Sequence, residues 1–532
     1  MKARHARSLL LVTTLTLAGI MASAQALDQP DLDAVYLIKD EAFQRSQLMD
    51  VLSYLTDVYG PRLTGSPNLK NAANYAVGKM REWGITAPRL EQWGPFGKGW
   101  SNERFSAHVI APQAYPLIGY PKAYTPGTEG RVTGDAVLAP IASERDFDLW
   151  RGKLRGKFVL MTAPGNVPTS FDPTGRRYSE QELDALTRQP SPRPPGVGPG
   201  GRAGGTPTAA AEREFARRRL QFFLEEGVAS VVEPSRGNGS AVFVLGGNLR
   251  QSPDTPVPTQ VVLAVEHYGR IARTLEKKIP VVLEMDIRNQ FYEQDLNSFT
   301  VVGEIPGSDK ASELVMVGAH FDSWHTGTGA TDNAAGSAVM LEVMRVLKAT
   351  GLKMRRTVRI GLWTGEEQGL LGSAAYVREH FADRRTMQLK PDHGRLSAYY
   401  NLDNGTGAIR GIYLQGNESV APIFRQWMGP FANIGMTTLA IRGTGGTDHT
   451  SFDAVGIPGF QFIQDPIEYS TRTHHSNLDV FERIQASDLM QNVAIIASFV
   501  YHTANREERL PRKQLPKPQP PPTPAAATSS TR

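Results

Sequence analysis

The 532-residue sequence contains no cysteine. Disulfides are excluded, and so is any metal site built on thiolates. A zinc site in this chain has to use imidazole and carboxylate, the ligand set of catalytic rather than structural zinc. Long apolar runs are also missing. The apolar stretch at the start, Leu9 to Met21, falls short of the ~20 residues that cross a bilayer. Charge of one sign is missing as well. The net charge is +5, but Lys2, Arg4 and Arg7 open the chain and Arg512, Lys513, Lys517 and Arg532 close it. Without those seven the body carries about −2, so the basic balance argues for no nucleic-acid partner.

What is present is enough for a large core: 40% of residues are hydrophobic and 21% charged, an ordinary globular balance. The basic start, the short apolar run and the small-residue sites Ala22-Ser23-Ala24 and Ala24-Gln25-Ala26 read as a secretory signal over residues 1–26. The expected location is therefore exported, periplasmic or secreted, with no membrane span left after cleavage. From 511 to 532 the Pro/Ala/Ser/Thr-rich tail is expected to be disordered.

Between these ends the texture changes twice. Residues 27–119 hold two helical patterns, around Met49–Tyr59 and Leu69–Met80, separated by Gly60-Pro61-Arg62-Leu63-Thr64-Gly65-Ser66-Pro67. Residues 120–290 show short β-like runs divided by Gly and Pro, with a Pro/Gly-rich loop near 188–208 that has no apolar surface to bury. This region reads as an inserted, mainly β domain. Its Glu226-Gly227-Val228-Ala229-Ser230-Val231 resembles the protease-associated domain. Residues 291–510 alternate strands and helices, which predicts an α/β domain with a mostly parallel central sheet flanked by helices. In such sheets ligands bind beyond the carboxyl ends of the strands.

The chemistry-bearing residues fall at those ends. His320 and Asp322 close the run Val315–Ala319, and Asp332 follows a Gly-rich loop. Glu366 and Glu367 follow Thr357–Trp363, Asp403 follows Ala398–Leu402, and His474 and His475 follow Gly459–Ile463. A lone histidine at a strand end is more often structural, and paired glutamates are usually solvated. The set is what two divalent metals require: His320 with Asp403, Glu367 with His475, and Asp332 between them. Glu366 is left over as a general base, and Asp322 is placed to accept the second N–H of His320.

The motifs GAHFDSW, TDNAAG, GLWTGEEQGLLGS, NLDNGTG, GGTDHTSF followed by GIP, and HHSNLD resemble the co-catalytic zinc exopeptidases. That family includes secreted bacterial aminopeptidases and glutamate carboxypeptidase. Asp-Ser-Trp after the histidine, Glu-Glu-Gln-Gly and the His474-His475 pair look closest to the carboxypeptidase Q branch of dipeptidases. The resemblance covers roughly residues 45–505. It implies two Zn2+ per chain held by His320, Asp332, Glu367, Asp403 and His475, and a peptide substrate. It implies that Glu366 takes a proton from the attacking water and passes it to the leaving amine. Relatives often have tyrosine where this chain has His474, so His474 and Tyr469 are the oxyanion candidates. His449 of Thr447-Asp448-His449 is expected behind the ligands, and His325 stands where an acidic residue is common. Arg472 is a candidate for holding a substrate carboxylate. Aminopeptidase or dipeptidase action is the leading expectation, with a carboxypeptidase of the glutamate carboxypeptidase type as the alternative. A single-zinc acyltransferase resembling glutaminyl cyclase and a non-catalytic receptor-like relative are weaker alternatives. Whether a second copy closes the pocket, as a homodimer, is left open.

Overall fold

In a computed structural model, residues 28–163, 165–189, 207–247 and 256–518 are described. Two eight-stranded sheets organise them. The strands of the main sheet are β1 (Thr86–Trp93), β2 (Ser298–Ile305), β3 (Lys310–His320), β4 (Arg356–Trp363), β5 (Leu396–Asn401), β6 (Ile409–Tyr413), β7 (Thr438–Ala440) and β8 (Gly459–Gln464). Their order is β1-β2-β4-β3-β5-β8-β6-β7. The four central strands, β4, β3, β5 and β8, run parallel. On the flanks, β1 pairs β2, β2 pairs β4 and β6 pairs β8, all antiparallel. The expected α/β fold is observed, with antiparallel edges added to a parallel centre.

Composition explains which strands are central. Val315, Met316, Val317 and Ala319 are all buried, so β3 is apolar on both faces, as an internal parallel strand must be. The helix Ala335–Ala349 follows the site loop and is buried from Ala335 to Leu347. It packs against the sheet and against the helices Leu32–Gln44 and Ala486–Asn505, which accounts for its lack of a polar face. The helix Pro67–Glu82 starts where Ser66 Oγ accepts from Leu69 N and stops before Gly84, whose φ of 72° suits glycine.

The second sheet runs, in order, Tyr115–Pro116, Gly99–Ala111, Val282–Tyr292, Arg131–Leu138, Phe158–Leu160, Ser230–Pro234, Gln260–Leu263 and Gly119–Pro121. Two expectations need correction. The boundary expected at residue 120 falls earlier, because Gly99–Ala111 is already the long partner of Val282–Tyr292. That strand is rich in polar residues and half exposed, so no apolar alternation announced it. The tail expected to be disordered from 511 is packed over its first residues. Arg512 donates to the carbonyls of His393 and Leu396, and Lys513 pairs with Asp453. The expected signal (1–26), most of the Pro/Gly loop (190–206) and residues 519–532 lie outside the described residues. Among the described residues no helix is long and apolar enough to cross a membrane.

Candidate metal centre

β3 delivers His320 to the carboxyl edge of the sheet, fully buried. Its Nδ1–H donates to the Asp322 backbone carbonyl at 3.0 Å. A carbonyl only accepts, so Nδ1 carries the proton and the neutral imidazole offers the lone pair of Nε2. That Nε2 lies 3.1 Å from Asp332 Oδ1 and 3.3 Å from Asp403 Oδ1. A lone pair facing two carboxylate oxygens needs a cation between them. His475 repeats the arrangement, with Nε2 at 2.9 Å from Glu367 Oε2 and 3.4 Å from Asp332 Oδ2. Asp332 therefore turns one oxygen toward each histidine. Asp332 Oδ2, Glu367 Oε1 and Asp403 Oδ1 are buried without a hydrogen-bond partner. Buried charges are stable only when paired or coordinated, so these three orphans and the two imidazoles fit nitrogen and oxygen ligation of metal.

Glu366 has a different environment. It is 9% exposed and follows β4, and no imidazole nitrogen or cationic side chain lies within ion-pair distance of its carboxylate among the described residues. Burial, with Asp403, Asp448 and Glu367 nearby, pushes its carboxyl well above the usual range, against the pull of His320. A carboxyl that is easily protonated beside a ligand set has the property of a general base that also returns its proton.

Asp322 differs from expectation. The chain turns after β3 so that the Asp322 backbone carbonyl, not its carboxylate, takes the His320 proton; Oδ1 stays 3.6 Å away. The carboxylate instead accepts from Thr64 Oγ1 at 2.8 Å and from Glu366 N at 3.3 Å. Its work is to seat Glu366. Thr64 Oγ1 also accepts from Gly365 N at 3.0 Å, which ties the early turn to the Glu366 loop.

The rings of Tyr469, His474 and His475 lie against one another at a tilt, with centroids 3.7 Å apart between the histidines and 4.8 Å between Tyr469 and His474. His474 Nε2 stands 3.8 Å from Asp332 Oδ2. Burial and four neighbouring carboxylates push the Tyr469 hydroxyl well above its usual value, so it stays protonated and able to donate. Arg472 is not free: Glu468 holds it at 3.5 Å. His449 donates from Nε2 to the Thr444 carbonyl, and His325 to the Pro121 carbonyl. Burial lowers both to about 4, so both are neutral and neither faces the carboxylates as a ligand.

Asp479, which follows the histidines in the sequence, supports the site together with features that the sequence did not mark. Arg62 is fully buried, and its guanidinium donates to the carbonyls of Phe321, Leu55, Thr328 and Gly329 at 2.8–3.0 Å. Three of those acceptors lie on the loop joining His320 to Asp332. Asp479 accepts from Thr331 N at 2.6 Å and from Asp332 N at 3.1 Å, fixing the other end of that loop. The loop turns at Gly329, where φ is 67° and a Cβ would meet Ser323 at 2.3 Å. Finally, the second sheet's unit reaches the site: Val244 N donates to the His475 carbonyl at 3.2 Å, and Val242 N to Asn477 Oδ1 at 2.7 Å. His475 sits there at φ 65°.

Burial, reinforced by Asp332, raises Asp479 from 3.8 to about 7. The group takes up a proton on folding between those values. Its contribution is present below about pH 4 and is lost as pH rises through 7. In metal-free protein, the stability gap between wild type and Asp479→Asn is expected to shrink by a few kcal/mol from pH 4 to pH 8, at about 1.4 kcal/mol for each pH unit crossed between the two values. Urea unfolding at pH 4 and pH 8 measures it, and an unchanged gap would contradict the raised value.

Residues 300–500 match the family model described as Peptidase family M28. This segment is a peptidase family M28 domain. All five candidate ligands and Glu366 lie inside it. Carboxypeptidase Q of Mus musculus is 25% identical over 462 residues, covering 87% of this chain and 86% of its own. Among solved structures, a peptidase M28 precursor from Shewanella amazonensis superposes with a TM-score of 0.65 at 23% identity, over 92% of this chain and 99% of that one. A zinc aminopeptidase from Bacillus subtilis does so at 0.55 and 19%, over 89% and 98%. Both share the fold. The M28 domain makes the protein a metallo-exopeptidase. Arg62, Thr64 and Val244 support the M28 site from outside residues 300–500.

Proposed function

We propose that the protein is an exported di-zinc exopeptidase that hydrolyses dipeptides and short peptides from the amino end. The observation that carries this reading is the shared Asp332, with His320 and Asp403 on one oxygen's side and His475 and Glu367 on the other's. These five residues would hold two zinc ions, which supply an acidified water and a positive field for the oxyanion. Glu366, seated by Asp322, takes the proton of the attacking water and returns it to the leaving amine. Tyr469 donates to the oxyanion from a hydroxyl that its carboxylate neighbours keep protonated. The acidic cluster also suits the ammonium of a free amino terminus. Export rests on the N-terminal pattern of residues 1–26, and the second sheet's unit is assigned as a protease-associated domain on its Glu226–Val231 motif.

Metal analysis of purified protein is the test. Two zinc ions per chain are expected, with dipeptide hydrolysis lost on exhaustive chelation and restored by zinc. One ion per chain would favour a single-zinc acyltransferase instead. A panel of free and N-blocked dipeptides then separates the amino-end reading from a carboxypeptidase, which would keep its activity on blocked substrates.

A further inference from the structure

The site opens on the side of His474, which is 37% exposed, whereas Asp332 is 4% exposed. The second sheet's unit borders that opening. Phe243 forms an isolated bridge with Ser476, the residue after His475. Arg236 stands over the Phe243 ring, 4.6 Å from its centroid, and is exposed.

Neighbouring cations are already neutralised. Arg472 and Arg483 share Glu468, Arg177 pairs with Asp465 and Asp488, Arg176 with Glu182, and Lys122 with Glu233. Among the described residues Arg236 makes no ion pair. A guanidinium held by an aromatic face, at the rim of an acidic cleft and without a counter-ion, is prepared to receive an anion.

We infer that Arg236 receives the free α-carboxylate of the dipeptide substrate. The inference rests on the peptidase reading above and deepens it. In a dipeptide the carboxylate lies one residue beyond the scissile bond. It must therefore sit at the rim rather than among the carboxylates beside the metals, where like charge would repel it. Arg472, the candidate apparent from sequence, is held by Glu468 and does not meet this need.

The experiment compares the best-cleaved member of a free dipeptide panel with its C-terminal amide, using the zinc-loaded full chain. Wild type is expected to favour the free dipeptide in kcat/KM. Arg236→Ala is expected to raise KM for the free dipeptide about 10- to 100-fold, the scale of one charge-assisted contact, with kcat nearly unchanged. The amide is expected to be cleaved as in wild type, and Arg236→Lys to restore part of the preference. An unchanged KM for the free dipeptide, or an equal rise for dipeptide and amide, overturns the inference while the peptidase reading stands. A zinc-loaded wild type that cleaves no member of the panel overturns both. Arg236 is exposed over the Phe243 ring, so its replacement is expected to leave the fold in place.

Discussion

Glu366→Gln is expected to lower dipeptide turnover by about 10²- to 10⁴-fold, the range over which positioned acid–base groups act. Its metal content is expected to stay at the wild-type level. The neighbouring residue explains why the two effects separate. Glu367 Oε2 lies 2.9 Å from His475 Nε2, inside the cluster that needs a cation, whereas Glu366 has no such contact. The backbone of Glu366 is held by Asp322, so the amide should occupy the same place and lose only its ability to take a proton. Glu367→Gln provides the converse, with metal lost along with activity. Metal analysis beside steady-state kinetics decides the matter. If Glu366→Gln loses its metal and Glu367→Gln keeps it, the two roles are exchanged.

The second large effect is expected far from any ligand in sequence. Arg62→Leu removes a buried cation whose neutral replacement fills much of the space but donates nothing. The carbonyls of Phe321, Leu55, Thr328 and Gly329 lose their donors, and Asp322 and Asp479 lose a compensating charge. Breaking a buried charge network of this kind costs about 3–5 kcal/mol. Burial lowers the Arg62 guanidinium to about 10, so it remains protonated through the physiological range. The loop from His320 to Asp332 is held from both ends, by Arg62 and by Asp479. Weakened zinc affinity should therefore accompany the lost stability. Denaturant unfolding of metal-free protein and a zinc competition titration measure the two separately. A variant with wild-type stability would show that water replaces the guanidinium, and would remove Arg62 from the account of the site.

The ligand cluster was legible in the sequence because central parallel strands are continuous apolar runs. Val315–Ala319 and Ala398–Leu402 end directly in a histidine or carboxylate and Thr357–Trp363 reaches one within three residues, and the topology brings those ends to one edge. The supporting residues lacked such a marker. Arg62 lies in a Gly-Pro-Arg turn, where an arginine is ordinarily solvated, and only the folded loop reveals four carbonyls around it. Asp322 was placed near His320 correctly, but which of its oxygens faces the imidazole depends on how the chain turns after β3. β1 carries a proline and three charged or amide side chains in eight residues, so an edge strand was not apparent there. The link from Val244 to His475 joins residues more than 200 positions apart, and nothing in either segment signals the other.

Arg62 also sets a timetable for the chain during synthesis. Its acceptors on the site loop lie 259 to 267 residues downstream. At ~5–20 residues per second, a ribosome needs roughly 13 to 50 seconds to make that stretch. Throughout that interval the guanidinium has the Leu55 carbonyl within reach but none of its three acceptors on the site loop, and the helices on either side have no sheet to bury against. The first segment of the peptidase thus docks on the site loop only after the middle of the chain has been made.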